Sequence, residues 1–172
     1  MSDFTDNDRK KLDELLAEAA VRSVVTQYTC AVDWMNWPLL ESLFWPDATI
    51  DFGDVFRGDR AAFMPFVIAL EEGYTRRLHL FSGARIALYG HEAEAEAGSV
   101  THVRSVNGAT RTDDILWGRY IFQLARRGDE WRFTRLHYMF SNFQRTESPD
   151  TDEGPMNLGD NTSMTHPMTP RF

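Results

Sequence analysis

Two side chains in this sequence sit where a proton can be held and moved. Asp33 closes an apolar stretch ending Ala31-Val32 and precedes Trp34, Met35 and Trp37. Such neighbours strip water from a carboxylate and raise its proton affinity, which suits a general base. The structural alternative is a helix-end carboxylate in water. His79 lies in Leu78-His79-Leu80-Phe81, an apolar strand-like run. An imidazole there changes charge near neutral pH and can pass a proton. The structural alternative is a core histidine satisfied by the backbone. Together they would form a dyad. The Asp would fix the imidazole tautomer and stabilise the imidazolium, leaving the ring to take a proton from carbon or oxygen. Only a fold that joins residues 33 and 79 makes that pair.

Other chemistries find no support. The five histidines, His79, His91, His102, His137 and His166, are dispersed without HxH or HExxH pairing, so no metal is expected. There is no glycine-rich phosphate loop and no GxSxG elbow, so no cofactor is expected either. The single cysteine, Cys30, allows no internal disulfide and reads as a small core residue. A net charge of −8 argues against nucleic acid and anionic membranes as partners. No apolar run reaches membrane-span length. The expectation is a soluble cytoplasmic protein whose partner is a small molecule. Aromatic residues make up 13% of the chain. Some are expected to wall a cavity for a flat or apolar ligand.

Hydrophobic spacing gives the elements that must position these groups. Leu12, Leu15, Leu16, Ala19, Val21, Val24, Val25, Tyr28 and Val32 recur at three and four, predicting a helix over 7–33 capped by Asp6 or Asn7. Five residues rotate about 140° on an ideal helix, so Asp33 shares the side of Tyr28 only if the helix ends near it or its flank faces the cavity. Asn36 and Pro38 start a second helix to about residue 45, with Leu39, Leu40, Leu43 and Phe44 inward. A short strand at 48–52 and a third helix at 59–72 follow, the helix striped by Phe63, Phe66, Val67 and Leu70. Strands are then expected at 75–89, with a bulge at Gly83, and at 92–106, 112–126 and 130–145. In the second of these Ala93, Ala95 and Ala97 alternate with outward Glu92, Glu94 and Glu96. In the last, Trp131, Phe133 and Arg135 share a face. Three helices followed by an antiparallel meander predict an α+β domain over 1–146, helices on one face of a curved sheet, with a tail at 147–172. A sheet bent around a helix leaves a hollow for a ligand.

The ordered pieces carry a resemblance. They are Val24-Val25-Thr26-Gln27-Tyr28 through Val32-Asp33, Leu43-Phe44 with Pro46-Asp47-Ala48, Arg57-Gly58, Leu78-His79, Gly90–Ala93, Gly118-Arg119-Tyr120, and Arg127-Gly128-Asp129-Glu130-Trp131-Arg132-Phe133. Over residues 10–143 the chain resembles the SnoaL-like branch of the nuclear transport factor 2-like superfamily. The resemblance implies a cone-shaped α+β fold and, commonly, a homo-oligomeric trimer or dimer. It also implies cofactor-free lyases that remove a proton and expel water, halide or formaldehyde. Their Asp–His pair falls on Asp33 and His79, and a catalytic tyrosine falls on Tyr28. A further polar pocket position falls on His102, with Arg104, a substrate-binding candidate, two residues on; the Glu/Ala alternation turns His102 outward unless a bulge near Gly98 resets the register. A pocket arginine of the last strand has no counterpart, Arg135 being one residue off. Trp117, Tyr120, His137 and Phe140 are candidate substrate-binding walls, and strand alternation forbids all four at once. The implied function is a cofactor-independent lyase or dehydratase acting on an apolar, aromatic or polycyclic molecule. The alternatives are an isomerase or polyketide cyclase, and a non-catalytic dioxygenase β-subunit or ligand carrier.

Overall fold

The computed structural model describes residues 4–151. Most of the expected tail lies outside them. Helix α1 (Asp6–Asp33) is followed by α2 (Trp37–Ser42), strands β1 (Phe44–Asp51) and β2 (Arg57–Asp59), and α3 (Arg60–Glu72). Five strands complete the chain: β3 (Arg76–Phe81), β4 (Arg85–Tyr89), β5 (Glu92–Asn107), β6 (Thr110–Arg127) and β7 (Glu130–Pro149). They form one sheet ordered β2-β1-β7-β6-β5-β3, with β4 also on β5. No helix among the described residues is long and apolar enough to cross a membrane.

The fold class is α+β as expected, but the sheet is mixed. β1 runs parallel to β7, Phe44 opposite Phe133 and Ile50 opposite Leu136. This pairing draws Phe44 and Trp45 into a strand, where helical spacing had extended α2 to residue 45. Asn36 caps α2 as expected, its side chain accepting from Leu39 N–H at 3.2 Å. The expected single strand 75–89 is two: Ser82 N–H bonds the Gly98 carbonyl and its hydroxyl accepts from Gly98 N–H, holding the chain off the ladder between them.

Thr5, not Asp6 or Asn7, caps α1, in a reciprocal box with Asp8. Its first half departs from the expected inward stripe: Leu12, Leu15 and Leu16 are 44%, 64% and 59% exposed. An open groove lined by Leu15, Ile86, Leu88 and Trp131 separates this half from the sheet. From Val21 onward the stripe is buried. Cys30 is exposed, not core, because it lies across the helix from Tyr28 and Val32. The helix stops at Asp33 because Met35 turns left-handed at φ +50°, a conformation that costs a non-glycine residue about 1–2 kcal/mol. Asn36 N–H to the Ala31 carbonyl, 2.8 Å, and Met35 N–H to the Val32 carbonyl, 3.0 Å, hold it there.

Two bulges set what β7 presents inward. Phe133 faces Leu124 and Arg135 faces Gln123, so Thr134 is extra; Phe140 faces Gly118 and Asn142 faces Trp117, so Ser141 is extra. Leu136, Tyr138, Phe140, Phe143 and Arg145 therefore share the inner side with Trp131 and Phe133, and Arg135 does not. The deep core is aromatic: Phe122 and Phe133 stack at 4.7 Å between centroids, and Phe44 meets Phe133 at 5.1 Å. Gly118 is where Tyr138 crosses β6, and a Cβ there would collide with the phenol ring. Gly118→Ala should displace Tyr138 and lower stability by about 1–3 kcal/mol through overpacking. Urea unfolding measures this, and an unchanged midpoint with the ring undisturbed would refute the packing argument.

Candidate active site

The inner face of the sheet can be read in rows across β3, β5, β6 and β7. Arg77, Val103, Asp114 and Arg145 form one row; His79, Thr101, Leu116 and Phe143 form the next. Phe81, Ser99, Gly118 and Phe140 follow, and then Ala97, Tyr120 and Tyr138. Over these rows α1, α3 and the β1–β2 turn enclose a cavity of about 460 Å³. Tyr28, Phe52, Phe63, Phe66, Tyr120 and Tyr138 give it aromatic walls. Exposed Val55, Leu70, Phe140 and Phe143 rim its mouth.

The fold joins Asp33 to His79. His79 Nδ1 lies 2.7 Å from Asp33 Oδ1. The His79 backbone N–H donates to both carboxylate oxygens, at 3.1 and 3.0 Å. A carboxylate accepts, so Nδ1 carries the proton and Nε2 is left as the basic atom. Asp33 is 8% exposed. Burial works to lower the proton affinity of His79, but the bond to Asp33 and the charges of Asp33 and Glu71 outweigh it, and the net shift is upward. Tyr28 is buried and lines the same cavity as His79. Desolvation first, then the Glu71 charge, push its phenol well above the ordinary range, against a smaller lowering by Tyr120. It stays protonated, a donor facing the cavity.

Among the expected site residues, Tyr28, His79, Tyr120 and Phe140 line the cavity and Asp33 backs His79. His102, Arg104, Trp117 and His137 do not. The β5 register passes Gly98 unbroken, Gly98 opposite Arg119, so no bulge turns His102 inward. His102 Nε2 sits 2.8 Å and Arg104 Nε 2.7 Å from Asp113, on the outer side of the sheet. Trp117 lines an outer groove with Leu80 and Arg119. His137 also faces outward, 3.5 Å from Asp51.

Two acids that line the cavity, Glu71 and Asp114, escaped the sequence reading, as did the arginines bonded to them. Glu71 ends α3 and is 5% exposed; Arg77, 2% exposed, donates from Nε to Glu71 Oε2 at 3.0 Å. Asp114 lines the cavity and takes both its bonds from Arg145, each 2.7 Å. The parity of β3 held a usable signal, since Arg77 lies two residues from His79 and shares its face. Glu71, beside Glu72 at a helix end, looks like a solvated acid.

Residues 13–137 match the SnoaL-like domain family. The chain belongs to that family. Its structure is similar to a candidate scytalone dehydratase from Novosphingobium aromaticivorans, at 20% identity and TM-score 0.70, covering 76% of this chain and 88% of that one. It is similar to hexachlorocyclohexane dehydrochlorinase LinA-type3 from Novosphingobium barchaimii, at 17% identity and TM-score 0.70, covering 79% and 94%. The β-subunit of a candidate aromatic-ring-hydroxylating dioxygenase from Novosphingobium aromaticivorans also matches, at 17% identity and TM-score 0.60, covering 75% and 92%. No curated protein matches the chain. These likenesses establish the shared SnoaL-like fold and leave activity to the site itself.

Because the folded imidazole binds its proton more tightly than the ordinary value of 6.5, the dyad's stabilisation is complete below about pH 6.5. It is lost as pH rises through the raised folded value. Asp33→Asn should remove that dependence and lower the His79 titration midpoint, read by NMR. An unmoved midpoint would show that Asp33 does not govern the imidazole.

Proposed function

We propose that the protein is a cofactor-independent lyase of the dehydratase type, acting on an apolar, flat or polycyclic small molecule. The observation that carries this reading is the 2.7 Å contact between Asp33 and the Nδ1 of a histidine lining an aromatic cavity. In this reading His79 Nε2 removes a proton from carbon. Asp33 holds the ring in the correct tautomer and balances the imidazolium that forms. Tyr28, protonated and buried, donates to the oxygen on which charge develops, and Tyr120 stands beside it, ring centroids 5.6 Å apart. Phe52, Phe63, Phe66, Tyr138 and Phe140 supply flat apolar contact for the rest of the ligand.

A non-catalytic subunit or carrier requires either that Asp33 and His79 lie apart or that no cavity be present. The 2.7 Å Asp33–His79 contact at the cavity favours the catalytic reading over that one. An isomerase would use the same base and is separated by product mass, which it leaves unchanged.

The test is turnover of a panel of aryl alcohols, alkyl chlorides and diarylpropanes, followed by mass spectrometry. Loss of water, hydrogen chloride or formaldehyde is expected from one class. His79→Ala should lower that rate on the order of 10²–10⁴-fold. For the alkyl chlorides, whose leaving group needs no proton, the rate should also rise with pH through the raised His79 titration, since only the neutral ring accepts a proton. Undiminished turnover by His79→Ala would sink the mechanism, and an unchanged product mass would replace lyase with isomerase.

A further inference from the structure

Glu71 has no part in the dyad, yet it faces the same cavity as His79. Its carboxylate is fixed from behind. Arg77 Nε donates to Oε2 at 3.0 Å, while Nη2 of the same guanidinium donates to the carbonyls of Glu71 and Tyr74 at 2.6 and 2.9 Å. One buried arginine thus ties the end of α3 to β3 and holds the Glu71 side chain against the cavity. His79 is held separately, through Nδ1, by Asp33 on α1. The cavity is therefore walled by an imidazole and a carboxyl group arriving from different elements, each with its own orienting partner.

The charges in this cluster do not balance without a proton. Asp33 and Glu71 are acids, Arg77 is a fixed cation, and a neutral His79 leaves one excess negative charge out of water. A single added proton neutralises it. Burial raises the proton affinity of Glu71, and the charges of His79 and Arg77 only partly offset this.

Resting on the acid–base reading above, we propose that Glu71 is a second catalytic group: a general acid that protonates a leaving hydroxyl while His79 takes the C–H proton. The substrate class is then an alcohol whose neighbouring carbon bears an acidic C–H. The C–H bond breaks to His79 Nε2 and its electron pair becomes the new C=C bond. The C–O bond breaks, and the departing oxygen takes the Glu71 proton and leaves as water. The cluster starts as neutral imidazole with carboxylic acid and ends as imidazolium with carboxylate. Its total charge never changes, and the proton returns from His79 to Glu71 before the next turnover.

Base-promoted ring opening of benzisoxazoles isolates the two roles. These flat probes lose a C–H proton and expel a phenolate whose basicity is set by ring substituents. With 5-nitrobenzisoxazole the leaving group needs little acid; with the unsubstituted compound it needs more. Glu71→Gln should lower the rate on the unsubstituted probe on the order of 10²-fold or more and leave the nitro probe nearly unchanged. Glu71→Asp, which keeps the charge but withdraws the carboxyl, should fall between and serves if Glu71→Gln does not fold. An equal loss on both probes, or no loss on either, would overturn the role of Glu71. A wild-type rate no higher than that of His79→Ala on both probes would instead overturn the reading of His79 as base.

Discussion

The structure turns on how Asp33 is satisfied. A carboxylate taken out of water costs several kcal/mol unless its oxygens are bonded. Here a backbone N–H and a ring N–H of one residue, His79, 46 positions further along the chain, both donate to it. The end of α1 and the middle of β3 are thus seamed by the same contacts that build the dyad. The helix must stop at Asp33 for this geometry to exist, and the left-handed turn at Met35 is the strain accepted to stop it there. Local backbone cost and site chemistry are parts of one arrangement.

Packing then decides what surrounds the pair. Inner-face residues of β3, β5, β6 and β7 lie in register, so His79 shares a row with Thr101, Leu116 and Phe143. Without the bulges at Thr134 and Ser141, β7 would turn Arg135 inward and lose Tyr138 and Phe140 from the wall. Gly118 makes room for the Tyr138 ring. The result is a pocket with aromatic sides and a polar end, in which hydrogen bonds act through a medium less screening than water.

Much of this was legible in the chain and some was not. The Glu/Ala alternation of β5 gave its facing from Ala93 to Val103, and the same alternation already opposed an inward His102, as the structure bears out. Tyr28, Asp33 and His79 were nameable as candidates, but their union came from the ordered family resemblance, since periodicity says nothing about residues 46 apart. The β7 bulges carry no glycine or proline, so strict period-two counting misassigned Arg135. The parallel pairing of Phe44 with Phe133 is a tertiary choice that overrode helical spacing. The Leu12, Leu15 and Leu16 stripe has the right period and still stays exposed, because no strand packs against that half of α1 closely enough to close the groove.

The inventory of charge at the cavity bears on what it can hold. Asp33 is hydrogen-bonded to His79, Glu71 to Arg77 and Asp114 to Arg145. A charged ligand would surrender its hydration and meet groups already paired, an exchange that loses free energy. A neutral, largely apolar ligand surrenders little and gains aromatic contact along most of its surface. Its single demand is for one polar centre near His79. Nε2 of His79 meets that demand, being the basic atom of a ring whose other nitrogen is committed to Asp33.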